Sequence, residues 1–187
     1  MSRSYRISVS ESVNQHVRVD DGFEVQLELL HILSKEQMAE LLAAELEGLG
    51  FEREGKLMRR VDDNGVELEV DLEAATLKAH RSASVDVEKT IEISGNVEEE
   101  RMTAGRARLE ERATRQLDEE VESAREELTT ETTELLEQSL RDLRSELDAA
   151  CNRATASALK IKARQIGEIQ EISENAETGE ITIKVKV

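Results

Sequence analysis

The sequence of 187 residues contains no proline and no tryptophan, and its aromatic side chains are limited to two phenylalanines and one tyrosine. Ordinary chains contain about 5% proline, which flexible linkers often use, so its absence predicts helices and strands in place of long loops. Hydrophobic residues make up 38% of the chain and charged residues 36%, against about 45–50% and about 25% in typical globular domains. We therefore expect a modest core filled by leucine, valine and isoleucine.

Cysteine and long apolar runs are equally scarce. The one cysteine, Cys151, cannot form a disulfide within the chain, and its alanine-rich surroundings predict a small buried side chain. No window contains the roughly 20 apolar residues of a membrane helix. Residues 1–9 lack the cationic start and apolar run of a secretory signal. We therefore expect a cytoplasmic protein without a membrane partner.

Positive charge is outnumbered, with 25 Lys and Arg against 42 Asp and Glu and a net charge of −17. Contacts with nucleic acid or an anionic membrane need clustered Lys and Arg, so both partner classes are disfavoured. Acidic composition favours solubility and also favours basic protein surfaces as partners. Composition alone leaves both interpretations open.

Residue patterns of catalytic and metal sites are weak. Gly50 to Lys56 has the spacing of a phosphate-binding loop, but Leu57 replaces the magnesium-binding hydroxyl residue and the segment follows a predicted helix. We interpret it as a helix-to-strand turn. The histidines His16, His31 and His80 are scattered and form no zinc pattern. We therefore expect no enzyme activity, no metal and no cofactor.

Residues 1–95 alternate between apolar and polar side chains, as strands do, and contain three predicted chain breaks. Asp20-Asp21-Gly22 is expected to form the turn of a first hairpin. Asp62-Asp63-Asn64-Gly65, with its Asn-Gly pair, is expected to form the turn of a second. Gly95-Asn96 is expected to end a last long extended stretch. These segments predict an antiparallel sheet.

One helix interrupts the predicted strands. Ser34-Lys35-Glu36-Gln37 matches a capping box, in which the Ser and Gln side chains bond to backbone N–H groups. Gly48 and Gly50 are expected to end the helix. Its apolar residues form one stripe, which consists of Met38, Leu41, Leu42, Leu46 and Leu49. The stripe predicts a helix packed across the sheet, so residues 1–95 are expected to form an α+β domain.

Residues 96–164 predict a long, charged, coiled-coil-like helical arm. Its apolar residues recur at spacings of four and three, with a stutter at Leu128, Thr132 and Leu136. The run Thr129-Thr130-Glu131-Thr132-Thr133 at the midpoint contains weak helix formers. It also contains no Gly, Asn or Pro to reverse the chain. Two alternatives therefore remain, an unbroken or bent helix and a fold-back into an antiparallel helical hairpin.

A single helix cannot bury its own apolar stripe. We therefore expect the stripe to contact a protein partner or a second copy of the chain. The hypothesised contact residues are Leu117, Val121, Leu128, Leu136, Leu140, Leu143 and Leu147. This expectation predicts a non-enzymatic interaction or assembly module. The alternative is a chaperone-like protein that holds unfolded or basic clients through the arm and the acidic surface.

Residues 165–187 predict a C-terminal β-hairpin with a turn over residues 175–179. Lys184 and Lys186 face outward in this pattern, which is a common protection of exposed strand edges. The apolar positions of the two strands are Ile166, Ile169, Ile172, Ile181, Ile183, Val185 and Val187. Because a lone hairpin is only marginally stable in water, we expect this one to complete a sheet.

Two segments resemble a known family. The stretch from Met38-Ala39-Glu40-Leu41-Leu42 to Leu49-Gly50-Phe51-Glu52 is similar to the helix-then-strand unit of small bacterial accessory proteins. Gly179 to Val185 resembles their short β tails. These proteins are encoded beside an FtsH-type AAA+ ATPase, a von Willebrand factor A protein and a MoxR-type ATPase, in FtsH ternary systems. The resemblance implies a non-catalytic accessory that feeds, tethers or regulates ATPase partners, and it implies no site residue.

Overall fold

The structure, a computed structural model, describes residues 4–174 and 181–186. The fold is α+β, as the sequence predicted. Its elements are β1 (Ser4–Gln26), α1 (Lys35–Glu47), β2 (Glu52–Glu54), β3 (Leu57–Val61), β4 (Glu67–Asp71), β5 (Thr76–Glu98), a 3₁₀ turn (Glu99–Arg101), α2 (Met102–Ile166), β6 (Glu168–Glu174) and β7 (Ile181–Lys186). Five strands form one sheet in the order β1-β5-β4-β3-β2, and β6 pairs with β7 in a second sheet.

The chain forms two compact units, each built from two segments. Unit 1 comprises Met1–Asp21 and Ser82–Thr133, and unit 2 comprises Gly22–Arg81 and Glu134–Val187. Strands β1 and β5 and helix α2 each contribute residues to both units. The domain boundaries expected near 95 and 165 separate kinds of secondary structure, whereas each compact unit combines strands with part of a helix.

Helix α1 begins and ends where its capping residues predicted. Ser34 Oγ accepts a hydrogen bond from Gln37 N at 3.3 Å, and Gln37 Oε1 accepts one from Ser34 N at 3.4 Å. Gly48 follows the last helical residue, Glu47, and Gly50 has a φ of +82°. The predicted capping box and glycine stop are therefore confirmed, because both ends satisfy backbone groups that a helix leaves unpaired.

The core of unit 2 lies between one face of the five-stranded sheet, α1 and the C-terminal half of α2. Its fully buried members include Leu42 and Leu46 of α1 and Met58, Val70 and Leu77 of three strands. Burying one such side chain stabilises the fold by about 1.5–3 kcal/mol. Helix α2 contributes both large and small side chains to this core, namely Leu136, Leu143, Leu147, Cys151, Ala154 and Ala158.

The turn between β3 and β4 is docked on α2. Asp62 Oδ1 accepts hydrogen bonds from Asn64 N at 2.9 Å and Val66 N at 2.8 Å, and Asp62 Oδ2 accepts one from the buried hydroxyl of Ser139. Asn64 Nδ2 lies 3.4 Å from Ser139 Oγ. Gly65 has a φ of +73°, as a tight turn requires. The predicted turn is confirmed, and it also fixes the hairpin against the helix.

The core of unit 1 is small and aliphatic. Val17 of β1, Val87 of β5 and Val121 of α2 form it, and two partly buried side chains, Val13 and Ala124, pack against them. Lys89 of β5 forms an ion pair with Glu120 of α2. The N-terminal half of α2 therefore covers the two long strands within this unit.

Strands β1 and β5 run in opposite directions. Arg6 Nη2 donates a hydrogen bond to Ser94 Oγ at 3.1 Å, and His16 Nδ1 lies 2.7 Å from Asp86 Oδ1. Residue numbers therefore rise along β1 while they fall along β5. This confirms the antiparallel arrangement that the sequence predicted.

Two of the three predicted chain breaks are wrong. Strand β1 continues through Asp20-Asp21-Gly22, and β5 continues through Gly95-Asn96. In both places glycine makes room for a neighbour. A Cβ at Gly22 would lie 2.6 Å from the carbonyl oxygen of Ala79, and one at Gly95 would lie 3.3 Å from Leu109 Cδ2. Glycine in a strand marks a close approach as well as a turn, and sequence alone does not separate the two.

Helix α2 passes through the threonine-rich midpoint without a break, so the fold-back alternative is wrong and the unbroken helix is confirmed. Thr129, Thr130 and Thr132 donate hydrogen bonds to carbonyl oxygens four residues earlier, at 2.8, 2.9 and 2.7 Å. Thr133 Oγ1 donates to Asp21 Oδ2 at 2.8 Å. Because these hydroxyls bond without displacing the helical ladder, weak helix formers remain helical here.

Strands β6 and β7 confirm the C-terminal hairpin and pair antiparallel. The predicted turn over residues 175–179 and the last alternating position, Val187, lie outside the described residues. Lys184 and Lys186 are exposed, and Lys184 Nζ lies 2.6 Å from Glu171 Oε2. The two strands form a sheet of their own, so within residues 4–174 and 181–186 the hairpin does not complete the larger sheet that was expected.

Candidate protein-docking site

The stripe predicted to contact another protein is covered by the chain itself. Its residues divide between the two units, with Leu117, Val121 and Leu128 in unit 1 and Leu136, Leu140, Leu143 and Leu147 in unit 2. Leu128 and Leu140 are partly buried and the other five are buried. The sheet of the same chain supplies the apolar surface that the single-helix argument assigned to a partner. Leu140 and Leu147 also line an open groove. Contact of the buried Leu117, Val121 and Leu136 with another protein would require α2 to leave its sheet.

A groove of about 230 Å³ lies beside this stripe in unit 2, between the C-terminal end of β1 and helix α2. Its aliphatic lining consists of Val25, Leu27, Leu77, Leu140 and Leu147. Val25 is 37% exposed, and Leu140 only packs against the edge of the core. The groove therefore offers an accessible apolar surface of a size that suits valine, leucine or isoleucine side chains.

Strand β1 is an outer strand of the five-stranded sheet. Leu27 N donates a hydrogen bond at 2.8 Å to the carbonyl oxygen of Ala75, the residue just before β5, so this N–H points towards β5. Backbone groups of alternate residues point to the same side of a strand, so those of Glu24 and Gln26 point away from β5. Gln26 Nε2 donates to Ala74 O at 2.8 Å and fixes the strand end. In the described part of the chain, no strand pairs with this edge.

The open edge is acidic on the outer face of the sheet. Phe23 packs against the core, so the next side chain, Glu24, points to the opposite face and is exposed. Charged residues between positions 19 and 34 are all acidic, and Glu28 lies at the rim of the groove. On the α2 side, Arg144 Nε lies 4.0 Å from Asp148 Oδ2, which balances the charge there. The edge of β1 therefore favours a cationic neighbour.

Cys151 is a packing residue. Its side chain is 3% exposed, and burial, with smaller contributions from Asp148 and Glu28, raises the pKa of the thiol to about 11. The thiol is therefore protonated at neutral pH, whereas nucleophilic and metal-binding cysteines act as thiolates. The predicted small buried side chain is confirmed.

The outer face of the sheet carries a wider concavity of about 730 Å³, in which Arg59 is paired with acidic side chains. Arg59 lies between Glu54 and Glu69, with its Nη2 2.8 Å from Glu69 Oε2. Paired, exposed charges leave little net potential for a ligand. The aliphatic lining of this concavity is limited to Val61 and Leu68, against five such residues in the groove beside β1, so we do not regard it as the docking site.

The described residues carry neither a metal cluster nor a membrane-spanning helix. In the ranges 4–174 and 181–186, no group of three or more His, Cys, Asp or Glu side chains is placed to hold a metal ion. Among the described helices, none has the length and apolar content needed to cross a membrane. His16 bonds to Asp86 on the surface of the long strands.

Comparison with known proteins identifies the family. The model of the family described as FtsH ternary system domain X5 matches residues 1–187, which is the whole chain. The chain belongs to the FtsH ternary system domain X5 family. The resemblance found in the sequence is thereby confirmed, and the chain is a component of an FtsH ternary system. Neither a curated protein nor a solved structure matches it.

The groove was missed in the sequence because a turn was wrongly placed at Asp20-Asp21-Gly22. That turn would have put the following residues on a separate second strand of a hairpin. The local signal was present, since the apolar residues Phe23, Val25 and Leu27 alternate with polar ones. This alternation does not show that the strand lies at the edge of the sheet.

Proposed function

We propose that the chain is a non-enzymatic assembly component of an FtsH ternary system that binds a protein partner as an added strand on the edge of β1. The observation that carries the proposal is the open edge at Glu24 and Gln26 beside an aliphatic groove. A peptide that pairs with an edge strand gains affinity from backbone hydrogen bonds and specificity from its alternate side chains. Membership of a ternary system supports a protein partner.

The site selects an extended segment in which aliphatic and basic side chains alternate. Two aliphatic side chains spaced two residues apart would enter the groove beside Leu140 and Leu147, and each would contribute about 1.5–3 kcal/mol. The residue between them would face outward beside Glu24, where a Lys or Arg is favoured. The loss of translational and rotational freedom on association costs roughly 4–15 kcal/mol. A contact as small as this one therefore supports only weak binding. We expect a dissociation constant above about 1 μM.

Weak, reversible capture suits an adaptor, which has to release what it presents. We propose that the bound segment belongs to an AAA+ ATPase partner of the ternary system and that binding occurs in the cytoplasm. No residue of the site is assigned a catalytic part. The acidic edge and the overall charge of −17 support a basic segment as the ligand.

The proposal is tested with two fluorescent ten-residue peptides, one alternating Val with Lys and one alternating Val with Glu. Fluorescence anisotropy should show binding of the Val-Lys peptide only. Glu24→Pro should abolish binding, because proline removes an outward N–H that edge pairing needs, while an edge strand tolerates it. Glu24→Gln is the matched control, since it keeps that N–H and should weaken binding only a few-fold. Thermal melts confirm that both variants are folded.

Two results would contradict the proposal. Binding of the Val-Lys peptide that is unchanged in Glu24→Pro would show that the edge is not used. Strong, salt-sensitive binding of unfolded proteins of any sequence, independent of Glu24, would favour the chaperone-like alternative, because exposed charge interactions are screened by salt.

A further inference from the structure

We propose that strand β7 of a second copy of this chain occupies the edge of β1, so that the chain self-associates through the docking site described above. The inference rests on the proposed docking site: β7 of a second copy occupies the edge when no segment of an ATPase partner is bound, and the two occupants compete for it. It starts from the C-terminal hairpin, whose apolar face is only partly buried in the single chain.

The apolar face of the hairpin packs against neither core. Ile172 is 41% exposed, and Ile181, Ile183 and Val185 are only partly buried. None of these side chains belongs to the core of unit 1 or unit 2 among the described residues. A two-stranded hairpin is marginal in water on its own. Its aliphatic face therefore gains stability from a surface that the described chain does not supply.

The composition of β7 matches the chemistry of the β1 edge. Its aliphatic residues stand at every second position, and the groove accepts side chains with that spacing. Lys184 and Lys186 lie on its other face, and β7 contains no acidic residue. When Ile183 and Val185 enter the groove, the lysines come to the outer face beside Glu24. Apolar and charged positions therefore match in the same register.

The hairpin also has a strand available to pair. In a two-stranded sheet each strand has one neighbour, so β7 pairs with β6 on one side and presents its other side. Lysines on such an edge discourage pairing with neutral or basic strands. The opposite edge of the five-stranded sheet, β2, is acidic but only three residues long. The edge of β1 is therefore the better match.

The occupant belongs to a second copy because the hairpin of the same chain does not reach the groove. Asp148 lines the groove and the hairpin follows Ile166, so 18 residues of α2 separate them, or about 27 Å of helix. The seven residues of β6 span roughly 23 Å when fully extended. No described residue of β6 or β7 lines the groove.

Cysteine cross-linking between two versions of the full chain tests the inference. A Val25→Cys chain is mixed with an Ile183→Cys or a Val185→Cys chain under mild oxidation. Thr182→Cys is the matched control, since Thr182 lies on the same strand but on the other face. We expect at least one of the first two mixtures to form the mixed disulfide ten times faster than the control. The native Cys151 is buried and does not compete.

A second experiment reverses the charges on the two strands. Glu24→Lys alone and the pair Lys184→Glu with Lys186→Glu should each reduce the mass measured by light scattering to that of the monomer. The triple variant should restore the larger mass, since the cross-strand charges are again opposite. Equal cross-linking in all mixtures, or a mass that no reversal changes, would overturn the inference. If the Val-Lys peptide still binds in a Glu24-dependent way, the docking site stands and only its occupant is wrong.

Discussion

Replacing Asp62 by alanine tests how the turn between β3 and β4 is held against α2. The Asp62 carboxylate accepts hydrogen bonds from two backbone N–H groups of its own turn and from the hydroxyl of Ser139. Alanine removes both acceptor oxygens and so all three hydrogen bonds at once. It leaves the buried Ser139 hydroxyl without its carboxylate partner, while the two turn N–H groups can bond to water.

The expected loss follows from these contacts. Each backbone hydrogen bond in the turn contributes about 1 kcal/mol net, and a buried hydroxyl left without its partner costs about 1–3 kcal/mol. We therefore expect Asp62→Ala to lower the free energy of unfolding by about 3–5 kcal/mol. Ser139→Ala should cost about 1–2 kcal/mol, because it removes the side-chain bonds to Asp62 and Asn64 but leaves the backbone bonds of the turn intact. Asp62→Asn should cost least, since its amide oxygen can still accept from the turn.

Urea unfolding followed by circular dichroism measures the three variants. The matched control is Asp63→Ala, a substitution in the same turn at an exposed side chain, which should stay within about 0.5 kcal/mol of the parent chain. The reasoning fails if Asp62→Ala is no more destabilising than Asp63→Ala. It also fails if Asp62→Asn is as harmful as Asp62→Ala, because hydrogen-bond geometry would then not be the cause.

Three further predictions concern packing and protonation. Gly22→Ala should destabilise the fold by about 1–3 kcal/mol in thermal melts, because its Cβ would collide with Ala79 O; a neutral result would contradict the close approach. Leu147→Ala should lower the free energy of unfolding measured in urea by about 2–5 kcal/mol. Leu128→Ala should lower it clearly less, because Leu128 is only partly buried; equal losses would argue against the assigned burial. The raised pKa of Cys151 means that the folded state holds its proton more tightly than the unfolded state. The stability it contributes should therefore be complete below about pH 9 and fall as pH rises towards 11, as unfolding curves compared with Cys151→Ala would show. A Cys151→Ala chain with the same decline would rule out this cause.

Local signals of the sequence were sufficient where the chemistry is local. The capping box at Ser34 and the Asn-Gly turn at Asn64 both depend on backbone groups within four residues, and both form as predicted. The predicted alternation of side chains along β7 is also found in the structure, since it depends only on the two-residue repeat of a strand. These features are encoded by neighbouring residues and do not require knowledge of the rest of the chain.

Glycine and threonine were misleading because their meaning depends on distant neighbours. Gly22 reads as a turn residue, but the backbone of Ala79 makes it a packing residue. The run from Thr129 to Thr133 left a fold-back open beside an unbroken helix, and Thr133 bonds to Asp21 of a strand more than a hundred residues earlier in the chain. No window of the sequence contains both partners of either contact.

The sequence by itself determined the α+β class, most elements and the apolar stripe of the long helix, because periodicity and capping act through adjacent residues. Only the tertiary structure decided what covers that stripe and which strand edge stays open. The seven stripe residues were assigned to a partner since one helix cannot bury them. Side chains of the same chain cover most of them, because Leu136, Leu143 and Leu147 pack in the core of unit 2 and Val121 packs in the core of unit 1. The edge of β1 beside Leu140 is open for a related reason: strand order depends on long-range pairing, which side-chain alternation does not encode.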